Sequence, residues 1–169
     1  RAVVRFSETA APTVGPLVFS VIPVLASDLA PPQLWHSKLA IISNPPLDVL
    51  LRHLKHLTQT AALDRWNWLG HSPLEVFEAL YRQLWERWAE LSPRIRDKLK
   101  ETNCVLVGEK LVRSSRVFFR LPDDLSPFLF ELPRALGAHD NFLRAIGVQE
   151  SPTAENYGQF LKELAKETA

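Results

Sequence analysis

The chain has 169 residues, 46% of them apolar, and 20 Lys and Arg set against 19 Asp and Glu leave a formal net charge of +1. That length carries one domain with a real core or two small subdomains, and the apolar share excludes a chain disordered by composition. Balanced charge argues against a dedicated nucleic-acid surface, and no apolar run reaches the roughly 18 residues of a membrane span.

In chain order, residues 1–45 read as irregular and β-leaning. "APTVGPLVFSVIPVLASDLAPPQLW" mixes apolar runs with prolines. Val18 to Val21 suits a short strand that Pro23 confines to an edge or an end, and Pro31-Pro32 imposes an extended joint. No helix is expected before Asn44, which together with Pro45 and Pro46 opens a helix over about 46–58. Leu47, Leu50, Leu51, Leu54 and Leu57 form its apolar face. "LDRWNWLGHS" (63–72) connects to a second helix. There Ser72, Pro73 and Glu75 make a capping box, and Phe77, Leu80, Tyr81, Leu84, Trp88 and Leu91 make an apolar stripe. Ser92-Pro93 starts a third helix running through Lys100.

A β-hairpin is expected near 104–112, with Gly108-Glu109 as a type II′ turn between Val105–Val107 and Leu111-Val112. Ser126-Pro127 offers another helix start. Residues 138–146 suit a short helix stopped by Gly147, and Tyr157, Phe160, Leu161 and Leu164 define the buried face of a last helix. The expected fold is α+β, mainly helical, with a boundary between an N-terminal segment 1–45 and a helical module 46–169. The N-terminal segment is expected to complete a neighbouring module.

The residue types that carry chemistry are present without the spacing that chemistry needs. The Gly residues stand at 15, 70, 108, 137, 147 and 158, so no G-x-G or P-loop exists and no nucleotide or other cofactor is expected. His53 and His56 lie three apart on one helix side, but no second ligand pair accompanies them, so they read as solvated or cap-bonding rather than as zinc ligands. No G-x-S-x-G elbow is present, and Ser72 and Ser126 are explained as caps. The single cysteine, Cys104, begins a strand and reads as a small buried hydrophobe; it has no partner for an internal disulfide, which fits a reducing compartment. No catalytic residue is expected. "RIRDK" (94–98) and "RSSR" (113–116) read as solvated faces on a nearly neutral chain, so no nucleic acid and no membrane is expected as a partner. Trp66, Trp68, Trp85 and Trp88 form an aromatic group; core packing explains most such groups, but Trp66, Trp68 and Trp85 are the candidate interaction surface. The hairpin with Phe118 and Phe119 reads as a structural joint, with Arg113 to Arg116 exposed beside it.

The order of several short motifs resembles the repeat regions of the sacsin family. They are Val107 to Val112, Ser115, Phe118-Phe119, Leu132-Pro133, Ile146-Gly147-Val148 and the helix from Ala154, preceded by "FSVIPVL" (19–25) and "NPPLDVLLRHLKHL" (44–57). The resemblance covers about 17–168. It implies a piece of a very large, cytosolic, chaperone-associated protein that carries ATPase-like modules of the GHKL type. The ATP-binding motifs of those modules have no counterpart here, so the chain corresponds to a segment downstream of one. The absence of Met, including at position 1, also points to a fragment or a processed chain. The expected role is a non-catalytic structural and protein-interaction segment, cytoplasmic, meeting protein partners or neighbouring modules of the same chain. A free-standing helical adaptor for a partner helix or peptide is the alternative.

Overall fold

The computed structural model describes residues 8–59 and 70–168. The fold is mixed α+β and mainly helical. It divides into two compact units, Arg1–Gln83 and Leu84–Ala169. Among the described residues no helix is long and apolar enough to cross a membrane.

In the first unit the backbone of Ala10 is a hub. It bridges in parallel to both Val24 and Ile42, with Ala10 N–H donating to the Pro23 carbonyl and Ala11 N–H to the Ile42 carbonyl, each at 2.9 Å. Val18–Val21 is not a strand. Gly15–Val18 forms a short helix, α1, which follows a 3-10 turn at Pro12–Val14 and passes into a turn. The prolines decide this: Pro12 and Pro16 sit in the first turns of these helical segments, where a fixed φ is already helical and a missing N–H costs nothing. A second 3-10 turn occupies Gln33–Trp35, so helical structure does precede Asn44.

Helix α2 runs Leu47–Gln59 and buries Val49, Leu50, His53, Leu54 and Leu57. Its flanking residue is Pro46, whose carbonyl accepts from Val49 and Leu50, rather than Asn44. Helix α3 runs Pro73–Glu86. Its capping box forms as expected: Glu75 N–H donates to Ser72 Oγ at 3.2 Å, and Ser72 N–H donates to the Glu75 carboxylate at 2.9 Å. Val76, Phe77, Leu80, Tyr81 and Leu84 are buried along one stripe, as the four-residue and three-residue spacings require. The helix stops at Glu86, and a 3-10 turn carries Trp88.

In the second unit helix α4 (Pro93–Glu101) is capped by Ser92, whose Oγ accepts from Ile95 N–H. Strands β1 (Val105–Val107) and β2 (Lys110–Val112) pair antiparallel, with Val107 opposite Lys110. Gly108 has φ +62 while Glu109 is not in the left-handed region, which is the II′ pattern. Strands β3 (Val117–Phe118) and β4 (Phe130–Glu131) pair in parallel. Phe118 also bridges to Gln149, and Phe119 N–H and Arg120 N–H donate to the Gln149 and Glu150 carbonyls at 2.9 and 2.8 Å. The segment 117–120 is thus held from two sides, at the centre of a core that contains Val105, Leu106, Val117, Phe118, Leu132, Leu136, Phe142, Leu143, Ile146 and Val148.

Ser126-Pro127 does not start a helix. The Asp124 carboxylate accepts from Ser126 N–H, Leu125 closes a single turn, and the chain leaves it directly into β4. Helix α5 (Asp140–Ala145) ends at Gly147, with φ +115. Helix α6 (Ala154–Thr168) is amphipathic yet has no buried residue. Leu161, expected on its inner face, is 59% exposed. The helix is attached at its edge, by the Phe128–Phe160 ring contact at 5.2 Å and by Arg116–Glu163 at 3.4 Å.

Candidate functional site

Of the three tryptophans expected to form an interaction surface, Trp66 and Trp68 lie outside the described residues. Trp85 is 41% exposed on α3, its ring 5.9 Å from that of Trp88. Trp88 itself is held in place. It meets Phe142 edge-on at 6.0 Å, lies 5.0 Å from the Arg96 guanidinium, and its carbonyl accepts from Arg96 at 2.7 Å. Of this pair only Trp85 therefore offers an open indole face.

The histidine pair departs from its sequence reading. His53 is fully buried, not solvated. Its Nε2 donates to the Pro16 carbonyl at 2.9 Å, so the neutral ring accepts at Nδ1 from the Ser20 hydroxyl at 2.6 Å. Phe19 packs edge-on against it at 4.6 Å. Burial pushes the imidazole down to about 4, opposed by the Pro16 hydrogen bond and assisted by nearby His56. The exposed His56 contacts the Ser20 carbonyl at 3.2 Å. A serine hydroxyl bonded to an imidazole is also the start of an acyl-transfer site. Here both ring nitrogens are saturated, and the ring's low basicity suits a core residue better than a base working near neutrality. The helical face alone could not reveal this, because Ser20 and Pro16 lie more than thirty residues away in the chain. Among the described residues no group of three His, Cys, Asp or Glu is placed to hold a metal.

Cys104 is buried, as expected, and its Sγ lies 3.6 Å from the Leu99 carbonyl. Burial pushes the thiol up to about 12, so at neutral pH it is a packed SH group rather than a nucleophile.

Of Val105, Val107, Leu111, Phe118 and Phe119, expected to pack in the joint, Val105 and Phe118 are fully buried. Leu106 is buried alongside Val105, while Val107, Leu111 and Phe119 are half-buried. Within the arginine-flanked stretch, Ser114 is buried, Arg116 is half-buried, and Arg113 and Ser115 are exposed. The Ser114 hydroxyl donates to the Ile146 carbonyl at 2.6 Å, and a Cβ added at Gly147 would stand 3.0 Å from the Ser114 Oγ. Glycine at 147 thus serves both the left-handed backbone and the seat of Ser114. The arginine side of the joint also reaches other elements: the Arg144 guanidinium lies 4.1 Å over the Phe119 ring, and Arg116 meets Glu163.

Among the described residues the two most exposed large apolar side chains, Leu34 and Leu29, fall within residues 1–35, where a fragment is expected to expose apolar surface. Leu29 is 75% exposed, Leu34 80% and Trp35 48%, around the Pro31-Pro32 joint. Lys38 lies 4.9 Å over the Trp35 ring. A signal was present in the sequence: apolar residues around two prolines, with neither helical nor strand periodicity to carry them inward.

The chain is similar to sacsin of Homo sapiens, with 27% identity over an alignment of 135 residues that covers 76% of this chain and 3% of that protein. It therefore spans about 3% of the length of the curated relative it matches. No family model matches the sequence, and no solved structure matches the fold. The relation is that of a distant, sacsin-like segment.

Proposed function

We propose that the chain is a non-catalytic structural and protein-interaction segment of a large sacsin-like, chaperone-associated protein. One observation carries the interaction part: Leu29, Leu34 and Trp35 stand open to solvent in a segment anchored by its own backbone. Exposed apolar side chains grouped in this way mark contact surfaces more often than single exposed leucines do. The groups with reactive potential support the same role, since the Cys104 thiol and the His53 imidazole are enclosed and serve packing. The distant similarity to sacsin supplies the context.

Because Cys104 is buried, a thiol introduced by Leu34→Cys is the one a maleimide photo-crosslinker reaches first. In a cell extract the labelled chain is expected to yield one discrete adduct, which Trp35→Ser abolishes while the circular dichroism spectrum is unchanged. Adducts spread over many proteins, or a discrete adduct indifferent to Trp35→Ser, would show that this segment is not a specific contact surface.

A further inference from the structure

A cleft of about 470 Å³ opens beside β2. It is lined by Leu111 and Val112 of β2, by Arg113, Ser115 and Arg116 that follow it, by Asn103, and by Glu163 of α6. It is lined mostly by polar groups, and its features fit one kind of occupant.

The first feature is a free strand edge. Among the described residues β2 pairs with β1 alone. Val107 and Lys110 flank the two-residue turn, so they form a hydrogen-bonded pair, and by alternation so do Val105 and Val112. Leu111 falls between them, and its peptide N–H and C=O turn away from β1. An edge with open backbone groups is a template for an added strand.

The second feature is charge. Arg113 is exposed and has no ion-pair partner among the described residues. Among the described residues the Arg116 guanidinium is paired with Glu163 alone, at 3.4 Å, with both side chains about two-fifths exposed. An ion pair this open is weak and exchanges readily for an incoming carboxylate. Lys110, exposed on the strand itself, is a further cation outside the lining of the cleft. The exposed Ser115 hydroxyl and the Asn103 amide supply neutral hydrogen bonds at the same cleft. No aromatic ring lines it, so the stacking that a single-stranded nucleic acid relies on is missing. Two apolar side chains, Leu111 and Val112, are too few for an apolar helix.

We propose that an extended acidic peptide of a partner protein adds to β2 in this cleft, hydrogen-bonding the backbone of Leu111 and placing carboxylates on Arg113 and Arg116. Arg113 is the primary carboxylate site, and Arg116 becomes the second when Glu163 is displaced. This goes beyond the interaction role proposed above and uses a surface far in sequence from Leu29–Trp35, so either can fail while the other stands.

The test titrates the whole chain into a short fluorescent peptide of alternating Glu and Val, read by polarisation. Saturable binding is expected, weakened by about tenfold when Gln replaces Glu in the peptide, as for loss of charge-assisted hydrogen bonds. Arg113→Ala combined with Arg116→Ala is expected to weaken it by a similar factor, and Glu163→Gln to tighten it several-fold. N-methylation of alternate peptide nitrogens is expected to cost about tenfold in one register and little in the other, because only one set of N–H groups faces β2. If the double variant unfolds, Arg113→Ala alone gives the same reading from an exposed position. Equal affinity for the Gln peptide, indifference to the arginines, or no binding at about 1 mM protein would overturn the site. Indifference to N-methylation in both registers would overturn the added strand.

Discussion

Two buried polar side chains carry specific weight at the scale of single residues. His53 is enclosed with its Nε2 committed to the Pro16 carbonyl and its Nδ1 to Ser20. In the unfolded chain its imidazole takes up a proton near pH 6.5, and in the fold near 4. Between those values the unfolded state holds more protons, so stability falls as pH drops through that window and is unaffected by this group above it. The loss by pH 4 is on the order of 3 kcal/mol. NMR titration of the ring checks it: the His53 resonances should keep their neutral positions down to about pH 5, and an ordinary midpoint near 6.5 would contradict the buried geometry. Ser114 is the second. Ser114→Ala leaves the Ile146 carbonyl without its donor inside the core, an expected cost of about 1–3 kcal/mol. Ser115→Ala, one residue on and exposed, is expected to stay within about 0.5 kcal/mol. Urea midpoints of the two variants decide between them, and equal midpoints would remove Ser114 from the joint. The sequence motif placed its serine at 115. Nothing in "RSSR" says which of two adjacent serines turns inward, because that depends on where Gly147 comes to lie.

Elements differ in how firmly they are held. Helix α3 and the strand segment 117–120 are anchored through fully buried side chains, Leu80 among the first and Phe118 among the second. Leu80→Ala is expected to cost roughly 2–5 kcal/mol and Phe118→Ala roughly 3–5 kcal/mol, since each leaves a cavity in a packed core. Arg113→Ala with Arg116→Ala should stay within about 0.5 kcal/mol, because the pair it breaks among the described residues, Arg116–Glu163, is about two-fifths exposed on both sides. Thermal or denaturant unfolding of the three variants gives the order, and an arginine pair costing more than Phe118 would reverse the account of the joint. Helix α6 is the counter-example. Its sequence has the same amphipathic form as α2, yet α2 buries five residues and α6 none. Periodicity states which side of a helix is apolar; it does not state how deep that side sinks, which depends on what the other elements leave uncovered.

For the whole molecule, much was legible before the structure was. The capping box of α3, the cap of α4, the II′ hairpin and the glycine stop after α5 are local devices, each satisfied by atoms within a few residues, so the sequence specifies them directly. The mainly helical α+β class follows from them. Where prolines dominate, the reading failed: Val18–Val21 has strand propensity, but Pro16 at a helix start makes Gly15–Val18 a helical turn. The hub at Ala10, the seat of His53 between Ser20 and Pro16, and the bond from Ser114 to Ile146 join residues from about 13 to 37 positions apart. Such pairings leave no local signature, because each partner is an ordinary residue until the chain brings the other to it. The sequence by itself determined the composition class, the longer helices, the caps of α3 and α4, and the hairpin turn, all of which rest on short-range sterics and hydrogen bonds. Which polar groups are buried, which apolar ones stay outside at Leu29, Leu34 and Trp35, and which arginines share a cleft were decided by tertiary structure alone, because burial is a property of the surroundings and not of the residue.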